Sequence, residues 1–511
     1  LLGIIPCALS LHILMYVNVV GKSHVQFAEK LIELLNENGH TVDLIMGALN
    51  SYVKLKGSYS ARKLVTVEFP GEIANHLINP FVEVSDWDRL MPNTNKFLET
   101  CDQLCDLLIT SSDVAELMSS NKYDLALLGA YDFCPFALAH HHKISPVVSY
   151  APTPAHFFQQ YHAGIPDLPL YDNILFDTRH ADYSNFATRV FEALRTFKER
   201  WMFNHAYKSA TRTIRAHFGE NFPDLQEIVR NVSLDFTNSH PLLEEPKPIS
   251  HRLRYIGGIG LPKPKPLSKD INNLLDLSKK GNVIFSFGTQ IEPDKFTANL
   301  QRVFVNTFER FPEYNFLWKF DGTTQFNASN LFNIEWLPQT DLLYDSRVVA
   351  FISHMGLNSF TEVAHAGVPV VAIPIFADQI HNARCAVALG TAEMVRKTEI
   401  TEENLTRALE KVLFEERYRS RAKEIAAMIS ALPDTPQRVF LEGIEFAAKF
   451  KNLSPHFRLA GADYNFLVQM GWDVVAFLTL SMILCLYLSL RLLVFALSKI
   501  PKLELLKLKI D

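Results

Sequence analysis

Residues 351–382 read FISHMGLNSFTEVAHAGVPVVAIPIFADQIHN, and the order of residue types in that run decides the fold. An apolar run ends at a His354-Met355-Gly356 turn, and a helix opens through Asn358 and Ser359. A second apolar run, PVVAIPIF, then leads to Asp378-Gln379. Strand, turn, helix and strand in this order make a βαβ unit, whose helix starts at the carboxyl edge of a parallel sheet. Glu362, three residues after Ser359, fits a capping box at that start. Free N–H groups and the positive end of the helix dipole then face the sheet edge, where a diphosphate binds well. His354 can donate to the same oxygens, and Asp378-Gln379 offer a carboxylate and an amide to sugar hydroxyls. A nucleoside diphosphate joined to a sugar uses every part of the stretch, and the element pattern alone also suits other nucleotide binders.

Working outward, the same alternation fills both halves of the chain. The run 11–20 is a buried strand, 21–24 a turn, VQFAEKLIELLNENG a helix stopped by Gly39, and HTVDLIM the next strand. Further strands follow in YDLALLGAYDFC and SPVVSYAP. From about 156 to 235 the pattern turns helical and aromatic. The Pro-rich run LPKPKPLS, 261–268, is a semi-extended linker that marks the domain boundary. Beyond it, GNVIFSFGTQ, YNFLWKFD, VVAFISHMG and PVVAIPIF restart the strand–helix alternation. The expected class is α/β: two Rossmann-like doubly wound domains, 11–250 and 251–445, with their carboxyl edges on either side of a cleft.

At 511 residues with 50 Lys and Arg against 55 Asp and Glu, the chain exceeds one ordinary core and lacks the basic balance of a nucleic-acid binder. Its clearest single feature is 474–497, 24 residues interrupted only by Arg491. That length crosses a hydrocarbon core of about 30 Å as a helix, with Arg491 able to snorkel. Segment 446–473 leads into it, and the tail 498–511 carries Lys499, Lys502, Lys507 and Lys509, whereas the last stretch before the span, GADYNFLVQMGWD at 461–473, has Asp463 and Asp473 and no Lys or Arg. The positive side stays cytoplasmic, so the body is expected in a lumen or outside. The ending KLKID is similar to the dilysine signal of type I proteins of the endoplasmic reticulum. Residues 1–10 are uncharged and apolar, in the manner of a secretory-signal remnant. Asn231, Asn327, Asn404 and Asn452 head glycosylation sequons. The six cysteines show no metal spacing, and Cys101 and Cys105 read as two buried thiols on one helix face.

The 48 residues from Trp336 to Ala383, beginning WLPQTDLL and ending ADQIHNA, resemble the signature of the membrane-bound UDP-glycosyltransferases, the family that includes the UDP-glucuronosyltransferases. The resemblance extends over nearly the whole chain. It implies a GT-B fold and inverting, metal-independent transfer of a sugar from UDP, a co-substrate rather than a cofactor, to a small lipophilic acceptor. It places Trp336 on the uracil, Gln339 and Glu362 at the ribose, His354 and Gly356 at the diphosphate, and Asp378 and Gln379 at the sugar. Asn358 and Ser359 fall in the donor loop, and Ser286, Gly288 and Thr289 near the phosphates. Met355 stands where the commoner pattern has a first glycine.

The resemblance also implies that His24 is the catalytic base, assisted by a carboxylate in the loop after YDLALL. Here the aligned position is Gly129. Asp132, three residues on, is the expected substitute, while Asp124 lies at the wrong end of the strand. Lys319 in WKFDG reads as a surface lysine that could meet a donor carboxylate. Three functions stay open: a hexosyltransferase acting on small lipophiles in the endoplasmic reticulum, a glycolipid-forming transferase, and a family member that binds UDP-sugar without turnover. Glucose and glucuronate are not separated, and a homo-oligomer is compatible with the sequence.

Overall fold

The computed structural model describes residues 10–49, 59–70, 92–154, 159, 163–165, 184–288, 296–320, 328–375, 378–462 and 464–499. Thr289, Asn327, the segment 1–9 and the tail lysines beyond Lys499 lie outside the described residues. The chain divides into two compact units, 1–458 and 459–511.

The first unit holds two parallel sheets. One is built from β1 (His12–Val19), β2 (Thr41–Ala48), β3 (Lys63–Glu68), β4 (Leu125–Gly129), β5 (Val147–Ala151), β6 (Leu234–Thr237) and β7 (Leu253–Tyr255), in the order β3-β2-β1-β4-β5-β6-β7. The other contains β8 (Gly281–Ser286), β9 (Tyr314–Lys319), β10 (Leu331–Ile334), β11 (Val348–Ser353), β12 (Val370–Ala372) and β13 (Ala392–Met394), ordered β10-β9-β8-β11-β12-β13.

Parallel strands covered on both faces are apolar on both faces, which is why β1 and β8 read as continuous runs rather than alternations. In the first sheet Leu14, Tyr16, Ile45 and Leu128 pack to one side with Leu104 and Phe136. Ile13, Met15, Val17 and Leu127 pack to the other with Leu31 and Ile32. The second sheet divides Val283, Phe285 and Trp318 from Ile284, Leu317 and Phe351 in the same way.

Two features depart from the expected boundaries. β7 continues the first sheet past residue 250 by pairing with β6. The helix Pro436–Phe450 sends Phe440, Ile444 and Ala447 into the core of the first sheet, not the second. Chain order decides neither question; buried apolar surface does.

Each sheet reverses its strand order once, between β1 and β4 and between β8 and β11. Loops leaving the strands on either side of such a point diverge and open a crevice at the carboxyl edge. The helix that follows β1 carries His24 in its first turn and the loop after β4 carries Asp132; the loops after β8 and β11 carry Gly288 and His354.

In the second unit the helix Trp472–Lys499, 28 residues, is long and apolar enough to cross a membrane. Within it Arg491 donates to the Tyr487 hydroxyl at 2.9 Å, one turn back.

Candidate active site

His354 is held between two glycine backbones. A Cβ at Gly288 would lie 2.8 Å from its ring, and one at Gly356 would lie 2.6 Å from Nε2, so any other residue at either position displaces the imidazole. Gly288 takes φ +74°, the left-handed region that glycine enters without strain, and its N–H donates to Ser286 Oγ at 3.2 Å. Burial pushes the His354 pKa down to about 4, with Lys319 acting in the same direction and the Ser286 backbone opposing both. The ring is therefore neutral at pH 7.

The helix Leu357–Ala366 starts at Gly356, which has no side-chain cap. The expected capping box does not form. Ser359 lies inside the first turn, and Glu362 instead accepts from Thr340 Oγ1 at 2.8 Å and from Gln339 Nε2. Gln339 Nε2 also reaches Ser359 Oγ at 3.1 Å. Glu362 thus points out of its own helix toward the helix Gln339–Leu343. Burial raises its pKa, with the Thr340 and Gln339 donors opposing. Asn358 is exposed at the helix start.

Asp378 does not end a strand, since β12 stops at Ala372; it caps the helix Gln379–Ala388. Its carboxylate accepts from Asn382 Nδ2 at 2.9 Å, and burial lifts its pKa to about 6 against the Asn382 and Leu357 donors. The Leu357 contact brings Asp378 to the open N-terminus of the helix after His354. Gln379 is buried and accepts the Ile375 N–H at 2.9 Å.

Trp336 is 70% exposed, a large flat ring left uncovered. Lys319 Nζ sits 5.7 Å above its centroid and donates to the Gly288 carbonyl at 2.8 Å. Lys319 thus joins the exposed indole to the Gly288 loop that packs against His354 and is more than a surface lysine. It ends β9, the neighbour of β8, so sheet adjacency to Ser286 was the signal in the sequence that could have found it.

Across the cleft, His24 stands in the first turn of the helix Lys22–Glu37. Burial pushes its pKa down to about 4, the Asn18 backbone opposing weakly, and its Nδ1 makes no hydrogen bond of ordinary geometry. The ring packs 5.2 Å from Tyr131, centroid to centroid. Tyr131 is raised by its own burial and also feels the Asp378 charge, while Thr153, to which it is hydrogen-bonded, opposes. The base candidate and the sugar-pair candidate therefore share Tyr131 as a neighbour.

Asp132 is not joined to His24 by a hydrogen bond. Its oxygens accept from the Tyr16 hydroxyl at 2.8 Å, the Cys134 N–H at 2.9 Å and Asn18 Nδ2 at 3.4 Å. Burial raises its pKa to about 6, and those donors oppose the rise. Cys134 is also bonded to Cys105, with the Cα atoms 5.4 Å apart, which ties this loop to the helix Pro92–Thr110. That disulfide joins residues 29 apart and corrects the reading of Cys105 as a buried thiol, whereas Cys101 is a free buried thiol as expected.

Comparison with known proteins identifies the family and the fold. Residues 4–505 match the family model described as UDP-glucoronosyl and UDP-glucosyl transferase. The chain is 26% identical over 469 residues to UDP-glucuronosyltransferase 1A8 of Rattus norvegicus, covering 89% of this chain and 86% of that one. It is 24% identical over 469 residues to UDP-glucosyltransferase 2 of Dactylopius coccus, covering 90% and 88%. Among solved structures, a kitacinnamycin glycotransferase superposes with TM-score 0.59 at 15% identity, over 86% of this chain and 98% of that one. The calicheamicin glycosyltransferase CalG4 does so with TM-score 0.56 at 17% identity, over 86% and 99%. The two facing parallel sheets are thus a GT-B fold, and the chain belongs to the UDP-glucuronosyl and UDP-glucosyl transferase family of glycosyltransferases.

Proposed function

We propose that this chain transfers a hexose, glucose or glucuronic acid, from UDP-sugar to a hydroxyl of a small lipophilic acceptor, with inversion and with His24 as general base. The supporting observation is the placement of His24 at the switch point of one sheet and the donor residues at the switch point of the other, with Tyr131 neighbouring both His24 and Asp378. In the reaction the acceptor oxygen bonds to the anomeric carbon as the bond to the UDP phosphate breaks. The hydroxyl proton passes to His24, and UDP leaves with the electron pair. A neutral imidazole can take that proton, and the negative charge of a bound diphosphate favours the imidazolium that forms. Trp336 stacks on uracil, Gln339 and Glu362 hold the ribose, and His354, Gly356 and the Ser286–Gly288 loop meet the diphosphate. Asp378 and Gln379 hold the sugar hydroxyls. The helix Trp472–Lys499 anchors the enzyme in the endoplasmic reticulum membrane with its body lumenal.

His24→Ala should abolish transfer from UDP-glucose or UDP-glucuronate to a simple phenol in microsomes, with UDP binding intact. Equal loss of transfer and binding would remove His24 from the role of base. A second reading, a UDP-sugar binder without turnover, is favoured by one observation: Gly129 supplies no carboxylate and Asp132 makes no bond to His24. Absence of acceptor-dependent UDP release with either donor, alongside tight UDP binding, selects it.

A further inference from the structure

The room beside Gly129 is filled by Asn18. A Cβ at Gly129 would lie 3.0 Å from Asn18 Oδ1 and 3.3 Å from the Tyr16 carbonyl oxygen, so the amide takes the space a side chain at 129 needs. Asn18 is 3% exposed near the end of β1, in the otherwise apolar run LMYV before it and VV after it. Its orientation is set by Asp132. Nδ2 donates to Asp132 Oδ2 at 3.4 Å, and the flipped amide would present its oxygen to a carboxylate. The Tyr16 hydroxyl and the Cys134 N–H hold that carboxylate from other directions.

Oδ1 of Asn18 is consequently turned away from Asp132, buried and without a hydrogen bond. Nδ1 of His24 is buried and makes no hydrogen bond of ordinary geometry, and the polar group that reaches the ring is the Asn18 main chain, which favours its charged form. A buried acceptor left unmet loses its hydration without return, and turning the Nδ1–H from the Asn18 main chain onto Oδ1 removes that penalty.

We propose that Asn18 is the positioning residue for His24: with substrates bound, its Oδ1 accepts the Nδ1–H of the imidazole and leaves Nε2 as the base. Asp132 acts one group further back, fixing the amide rather than the ring. The arrangement His24–Asn18–Asp132 stands in for a direct histidine–carboxylate pair, as an asparagine orients the histidine of papain-like cysteine proteases. The inference rests on the reading of His24 as base.

The test uses the full chain in microsomes, with UDP-glucose and UDP-glucuronate each paired with a simple phenol. Asn18→Leu should lower kcat by about 100-fold, the lower end of what general-base catalysis supplies, and leave KM for the UDP-sugar unchanged. Asn18→Asp combined with Asp132→Asn keeps one carboxylate in the pair and moves it next to the ring, so it should keep turnover and move the acid limb of the kcat/KM–pH profile upward by about one unit, because the nearer negative charge favours imidazolium. Adding Gly129→Asp to Asn18→Ala puts a carboxylate into the vacated space and should restore turnover lost in Asn18→Ala alone. Wild-type kcat in Asn18→Leu, or an unmoved profile in the Asn18→Asp, Asp132→Asn double variant, overturns the proposal; if Asn18→Leu does not accumulate, the profile of the double variant decides. His24→Ala is run beside them. Activity surviving His24→Ala removes the base itself, whereas an inactive His24→Ala with a fully active Asn18→Leu removes only the role of Asn18.

Discussion

Met355 takes φ +61°, in the left-handed region, at the position where the commoner signature has glycine. Its N–H donates to Ser353 Oγ at 3.0 Å and its carbonyl accepts from Asn382 Nδ2 at 3.0 Å, so the turn is held from both ends. Met355→Gly relieves strain of order 1 kcal/mol. It also gives up a fully buried side chain, worth about 2–5 kcal/mol by analogy with truncations to alanine. The packing loss is larger, so the variant should melt at lower temperature; a raised Tm would show that strain dominates. Lys319 offers a second residue-scale prediction. Its ammonium lies between the Trp336 ring and the Gly288 carbonyl, where a diphosphate would add a charge-assisted partner worth about 1.5–3 kcal/mol. Lys319→Ala should therefore weaken UDP binding by about tenfold or more in calorimetry, since 1.4 kcal/mol is a factor of ten. Unchanged UDP affinity would limit Lys319 to bracing the Gly288 loop.

Among the elements, the helix Pro436–Phe450 follows the second sheet in the chain but packs on the first. Gly443 makes the approach close: a Cβ there would sit 2.7 Å from Cζ of Phe236, a fully buried ring of β6. Gly443→Ala gains about 1 kcal/mol of helix propensity, yet overpacking a core costs about 1–3 kcal/mol. The prediction is a net loss of stability in thermal melts, reversed when Phe236→Leu is added to make room; a stabilised single variant would mean that the helix shifts freely. The strands were legible because their apolar runs are continuous, and His24, His354, Trp336 and Glu362 because they lie in one specific signature or at a strand end. What stayed hidden depended on contacts distant in sequence. The disulfide pairs a helix with a loop 29 residues away, β7 joins its sheet after a bend, and Glu362 answers to Gln339 and Thr340, not to its own helix end. The importance of Asn18 is visible only when β1 and β4 are side by side.

For the molecule as a whole, buried titratable groups set how stability responds to acid. His24, His240, His354 and His381 are each pushed by burial from 6.5 to about 4. A histidine with a depressed folded pKa binds fewer protons folded than unfolded between those two values, so its contribution is full above 6.5 and is lost as pH falls toward 4. Asp132 and Asp378, raised by burial from 3.8 to about 6, act oppositely: they weaken the fold as pH rises through that window. His142 and His365 are lowered by burial as well, and Asp102, Asp235 and Glu362 raised; the largest shifts belong to the four histidines, so a net loss of stability is expected between pH 7 and pH 5. Thermal melts without UDP at pH 7, 6 and 5 should show Tm falling at each step. Asp378→Asn deletes one of the opposing contributions and should make the fall steeper, even though it removes a donor-site residue. A Tm that is flat across the three pH values, or a shallower fall in Asp378→Asn, would mean that these histidines do not stay neutral in the folded protein. The neutral imidazole required of His24 as a base would then lose its physical support.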